Sequence, residues 1–321
     1  MGGFQMGRVS LLVGLIAFIM SIGVASAQEL TNPAVFAGVF FIVCLVIGIV
    51  AVLAGVGGGV VFTPLMMGFT SIDSFIIRAT GLTVAMGGAL VAARPFLRRG
   101  LANIKLLLFA AVPYTVFAVI GALLAGYIKA TMGIFGEGLI RTALGVLVIF
   151  IAMIFLFAGK RIEYPEVKHV DSFTERLGLA MAYWEESLGR VVDYKVTRAW
   201  LGALCFCGIG LVSGLFGLGA GWAMVPVLNL IMLAPLKVAA ACSKVLIGIG
   251  DTAAVWPYIT AGGIIPIFTI PCLIGLILGT IIGAKIMLKV KAGFVRWLII
   301  AIMLLSGVRL IWKGLEMLGV M

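Results

Sequence analysis

Long apolar stretches follow one another along almost the whole chain, and they decide what it can fold into. A bilayer core about 30 Å thick is crossed by roughly 20 helical residues, and the runs Phe75 to Ala93, Leu106 to Ile128, Leu139 to Ala158, Val238 to Tyr258, Ile264 to Leu288 and Phe294 to Trp312 each have about that length. Two further stretches, Val35 to Thr70 and Ala199 to Leu236, are longer and interrupted by glycines. With 63% hydrophobic and 11% charged residues and a mean hydropathy of +1.28, the chain is a membrane protein, because soluble domains carry about 25% charged residues. A soluble enzyme and a nucleic-acid-binding module are excluded. The net charge of +11 therefore reads as loop Lys and Arg held on the cytoplasmic side, not as a polyanion site.

The interrupted stretches belong to an internal duplication. A shift of 162 positions lays Gly55, Gly57, Gly59 and Pro64 on Gly217, Gly219, Gly221 and Pro226, Pro95 on Pro257, and Gly100 on Gly262. Each half reads as a Gly-broken helical hairpin followed by three transmembrane helices, and the hairpins are either re-entrant or cross twice. The loop carrying Arg94, Arg98, Arg99 and Lys105 has an uncharged equivalent between Pro257 and Ile267. Conversely, Lys285, Lys289, Lys291 and Arg296 crowd a loop whose equivalent has only Lys129 and Arg141. Basic residues resist translocation, so the expected fold is an all-α polytopic membrane protein built from two inverted repeats.

The expected organisation is a signal peptide or extra N-terminal helix at 1–27, a first repeat at 28–158, a cytoplasmic linker at 159–197 and a second repeat at 198–321. Arg8, the apolar run Val9 to Val24 and Ala25-Ser26-Ala27 resemble a cleavable leader; cleaved or not, it delivers Gln28 to the outside. In the linker, Ser172 and Glu175 match a capping box, and Phe173, Leu177, Ala180, Trp184, Leu188 and Val191 recur at helical spacing. This predicts an amphipathic helix lying on the lipid surface.

Backbone at a glycine break in hydrocarbon must find partners or line a polar cavity. The helix that follows directs free N–H groups into that cavity, which suits a small oxyanion. Gly57, Gly58 and Gly59 with Gly219, Ala220 and Gly221 are accordingly candidate substrate-binding residues. Lys244 and Asp251 are oppositely charged, seven residues apart and deep in one span, where a charge is costly and marks function. Lys244 either neutralises an anionic substrate while Asp251 tunes it or carries a coupling proton, or the two form a structural ion pair. Thr80 and Ser243 are candidate hydrogen-bond donors to the substrate. Arg78 is expected to snorkel at an outer helix end, and Arg309 has no obvious partner. Cys44, Cys205, Cys207, Cys242 and Cys272 read as small core residues, and the single histidine, His169, lies in the linker. No catalytic group, metal-ligand set or cofactor motif is expected.

The paired motif Gly55-Val56-Gly57-Gly58-Gly59 with Pro64 and Gly217-Leu218-Gly219-Ala220-Gly221 with Pro226 resembles that of the TauE/SafE sulfite and organosulfonate exporter family, of the 4-toluene sulfonate uptake permease type. Ala79-Thr80 and Cys242-Ser243 stand where that family has its small polar signature after each hairpin. Lys244, the charged linker and the leader depart from its pattern. The resemblance implies a secondary transporter, an exporter of sulfite, a sulfonate or a similar small anion across the bacterial inner (plasma) membrane. A proton or sodium would be the coupling ion, membrane lipids the surrounding partners, and nucleic acid no partner. The alternatives are a channel or transporter for another small anion, or a membrane-embedded enzyme, which would need clustered His, Asp, Glu or Cys.

Overall fold

A computed structural model describes residues 33–53, 57–98, 100–157, 165, 167, 169–185, 189–286 and 292–319. The expected leader at 1–27 and linker residues 159–164, 166 and 168 lie outside them. The elements are α1 (Pro33–Leu53), α2 (Gly58–Phe69), α3 (Ser74–Arg98), α4 (Ile104–Phe157), α5 (Ser172–Leu177), β1 (Met181–Glu185), β2 (Arg190–Tyr194), α6 (Ala199–Phe216), α7 (Gly221–Pro226), α8 (Leu236–Thr260), α9 (Pro266–Ile286) and α10 (Ala292–Met317). A π turn, Val227–Ile231, prolongs α7.

Among the described residues, six helices are long and apolar enough to cross a membrane: α1, α3, α4, α6, α8 and α9. The protein is an all-α polytopic membrane protein. α4 is two helices joined at Gly133, whose φ of 52° and ψ of −127° no helix contains; glycine adopts that geometry without a Cβ penalty. At about 1.5 Å per residue, α2 spans roughly 18 Å, short of a bilayer core near 30 Å. Along the first arm of α4, Ile104, Leu108, Val112, Val116 and Ile120 lie exposed on one face. Such a stripe would aggregate in water and is satisfied by lipid.

The long helix of each hairpin packs on a helix of the other half: α1 against α9, and α6 against the first arm of α4. Small residues make the approach possible. A Cβ on Gly275 or Gly279 would overlap the Phe41 or Leu45 carbonyl of α1, and one on Gly210 or Gly214 would overlap the Tyr114 or Ala118 carbonyl of α4. With no apolar driving force between helices in lipid, close backbone contact and dispersion hold such pairs together. The second arm of α4 meets α10 in the same way, Gly138 opposite Gly314 and Gly145 opposite Gly307, while α3 packs on α8.

The linker differs from expectation. Its helix stops after six residues at Gly178, in the left-handed region, and β1 and β2 pair antiparallel, Met181 with Tyr194 and Glu185 with Arg190. The apolar residues there alternate with period two: Tyr183 and Tyr194 are buried, Ala182, Trp184, Val191 and Asp193 exposed. β-branched and aromatic side chains fit that pleat better than a helix. The cap differs too. Asp171, not Ser172, caps α5, accepting from the Thr174 N–H at 3.1 Å, because its other oxygen is also held by Thr197 Oγ1 at 3.2 Å and the Arg198 N–H at 2.7 Å. Asn103, which caps α4 by accepting from the Leu106 N–H at 3.2 Å, donates to Leu179 O at 2.8 Å and Tyr194 Oη at 3.0 Å, so the hairpin is fastened to the helix ends.

Candidate functional site

Both glycine breaks meet at the centre of the molecule. α1 is described as far as Leu53, and α2 starts after Gly57, whose φ of +92° favours glycine. α6 ends at Gly217 (φ +68°) in the left-handed region, where a Cβ would overlap the Arg78 backbone. A Cβ on Gly57 would stand 3.8 Å from the Gly221 Cα, and one on Gly59 would overlap the Leu218 carbonyl. Thr63 Oγ1 donates to Gly217 O at 2.6 Å, which satisfies a carbonyl freed by the second break.

Between the breaks lies a cavity of about 360 Å³. Gly57, Gly58, Gly59, Gly219 and Gly221 line it, with Ala85, Gly88, Ala89 and Ala92 from α3, Lys244 and Ile247 from α8, and Thr280 from α9. Among the described residues, Lys244 is the only charged one on this wall, and Thr280 is the only other with a polar side chain. Among the described residues Lys244 makes no hydrogen bond or ion pair. The structural ion pair with Asp251 is therefore not formed. A cation with no partner in an apolar chamber is a place for an anion.

Of the residues singled out in the sequence, the cavity brings together Gly57, Gly58, Gly59, Gly219, Gly221 and Lys244, while Thr80, Ala220, Ser243 and Asp251 stand off its wall. Thr80 Oγ1 is engaged with Thr269 Oγ1 at 3.0 Å. Ser243 is fully buried, and its Oγ has no partner. Asp251, also fully buried, accepts through Oδ1 from Tyr114 Oη and from Ser213 Oγ, the latter at 3.2 Å.

Three arginines are buried or bonded, and two of them, Arg78 and Arg309, depart from the sequence reading. Arg78 does not snorkel: it is 1% exposed and donates to Ser74 O and to Leu215 O, each at 3.2 Å, because the break leaves carbonyls at the end of α6 without intrahelical donors. Arg309 has a partner, Gly68 O at 2.8 Å, and lies 4.9 Å from the Phe69 ring centroid. Arg141 donates to Met67 O at 2.8 Å and pairs with Glu137 at 2.6 Å. Cations thus gather at the C-terminal end of α2, where its dipole favours them. Tyr114 and Ser213 were missed; a tyrosine beside Pro113 in an apolar run was the available signal.

The profile of the sulfite exporter TauE/SafE family matches residues 40–310, both breaks and the cavity included. The chain belongs to the sulfite exporter TauE/SafE family. Within this family of membrane transporters it is similar to the probable membrane transporter protein YunE of Bacillus subtilis (strain 168), 23% identical over 288 residues that cover 86% of this chain and 98% of the relative. No solved structure matches it. A transporter role follows from the family, and the cavity beside Lys244 lies within the matched region.

Proposed function

We propose that the protein is a secondary transporter that exports small sulfur-containing anions, sulfite or an organosulfonate, across the bacterial inner membrane. The observation that carries this reading is the convergence of both glycine breaks and Lys244 on one cavity whose wall, among the described residues, holds no partner for Lys244 and no carboxylate. The N–H groups of the first turn of α2 and the Lys244 ammonium offer oxygens of a tetrahedral or pyramidal anion charge-assisted donors in a low-dielectric setting. The alanine-rich wall from α3 accommodates a short organic tail. The halves rock about the paired breaks to open the cavity to either side, as inverted repeats with discontinuous helices do. The basic loop with Arg94 and Arg98, and the linker, face the cytoplasm on this reading.

The test is flux of labelled sulfite, thiosulfate, sulfate, taurine and sulfoacetate in proteoliposomes, for the wild type, Lys244→Ala and Gly58→Leu. Saturable flux of one anion is expected, reduced about tenfold or more by Lys244→Ala, since a hydrogen bond to a charged group contributes about 1.5–3 kcal/mol. Gly58→Leu abolishes it, because a side chain there enters the space held by Leu276. Absence of flux of all five under both a proton and a sodium gradient overturns the sulfur-anion reading.

A further inference from the structure

We infer that Asp251, with Tyr114 and Ser213, is a proton-binding site that exchanges with the cavity past Gly219 and couples anion flux to protons. The inference rests on the transporter reading for its coupling and on the geometry of Asp251 for the proton.

Asp251 is fully buried in α8. Its two hydroxyl donors come from different elements, Tyr114 from the first arm of α4 and Ser213 from α6, and both are directed at Oδ1. Tyr114 Oη and Ser213 Oγ are themselves 3.3 Å apart. Oδ2 has no partner. A Cβ placed on Gly219 would stand 3.0 Å from Oδ2, and Gly219 is also part of the cavity wall. One glycine thus borders the anion chamber and the free carboxyl oxygen.

Among the described residues, no cation offsets this carboxyl. Lys244, on the same helix, is seven residues away, about 10 Å along the axis, and its side chain lines the cavity. From α4 the facing ionisable group is Tyr114; α6 contributes only the Ser213 hydroxyl. Arg78 of α3 is engaged by the Ser74 and Leu215 carbonyls, and the second break and α7 carry no charged residue. An ionised carboxylate with one bare oxygen in such surroundings is costly. A proton on Oδ2 removes the charge while Oδ1 keeps both hydroxyl donors. The proton arrives from water in the cavity and returns to water when the halves rock, so no other reactant is required.

Two measurements test this on the full-length protein. The first is infrared difference spectroscopy of the purified protein across pH, which needs no substrate. A carboxyl C=O band that appears on acidification, disappears in Asp251→Asn and moves to higher frequency in Tyr114→Phe is expected, because loss of a hydrogen bond at Oδ1 stiffens the carbonyl. A spectrum without such a band, or a band that persists in Asp251→Asn, overturns the site. The second is uphill accumulation of the transported anion in proteoliposomes. With one coupled proton a pH difference of one unit gives about a tenfold accumulation ratio, and in Asp251→Asn the ratio with and without the gradient falls to about one. Accumulation that follows sodium, or downhill flux indifferent to pH, overturns the coupling. If none of the five anions moves, the substrate reading falls by itself, and the infrared band still decides whether Asp251 binds a proton.

Discussion

Lys244 and Asp251 sit two turns apart on one helix, yet packing sends one into a cavity and the other into a hydroxyl cluster. Both were visible in the sequence because a charge in an apolar span is costly and seldom incidental. Tyr114 and Ser213 were not, since hydroxyls in membrane helices commonly bond their own backbone, as Thr83 does to Ala79 O at 2.9 Å. Which hydroxyl instead reaches a carboxylate depends on which helices are neighbours. The contact between the breaks is tested by Gly59→Ala, whose Cβ would overlap the Leu218 carbonyl. The expected cost is about 1–3 kcal/mol of stability, read as a lowered unfolding temperature in detergent, with a loss of flux. Gly38→Ala, where nothing stands within 4 Å, leaves both intact; equal behaviour of the two variants shows that the breaks do not bear on each other.

The helices were legible to within a few residues, because apolar length and glycine or proline punctuation set them locally. Gly57 ahead of α2 and the left-handed stop at Gly217 are examples. The linker was not legible: Trp184, Val191 and their neighbours satisfy both a helical and an alternating period, and the choice fell to the contacts of Asn103 with Leu179 and Tyr194. Asp171 ties this element down. Burial alone raises its carboxyl, but Thr174, the Arg198 N–H and Thr197 outweigh that and hold it down to about 2, from 3.8. A lowered carboxyl stabilises the folded form above the unfolded value and loses that contribution as pH falls through the folded one. The linker should therefore stay docked above about pH 4 and loosen as pH drops toward 2. Pepsin cleavage within residues 172–198, normalised to Asp171→Ala, should rise over that window; a flat ratio sinks the assignment. Asp171→Ala itself should cost about 0.5–2 kcal/mol, as loss of a helix cap does.

Across the molecule the two halves are interlocked, each hairpin helix leaning on a helix of the other half and the breaks touching between them. The inverted repeats expected from the sequence would place the C-terminal ends of α3 and α8 on opposite sides of the membrane, although these helices pack together. Arg98 and Thr260, 162 positions apart and both exposed, probe this directly. In a background with Cys205 and Cys207 replaced, a membrane-impermeant thiol reagent added to whole cells should label Thr260→Cys and spare Arg98→Cys. Labelling of both, or of Arg98→Cys alone, contradicts the inverted arrangement. The sequence by itself determined the membrane class, the positions of the membrane helices, the duplication and the candidate residues, because apolar length, glycine breaks and intramembrane charge act locally along the chain. Only the tertiary structure decided that both breaks share one cavity with Lys244, that Asp251 turns to Tyr114 and Ser213, and that Arg78, Arg141 and Arg309 satisfy helix-end carbonyls. Those outcomes depend on which helix faces come together, and small residues permit that contact without specifying its partner.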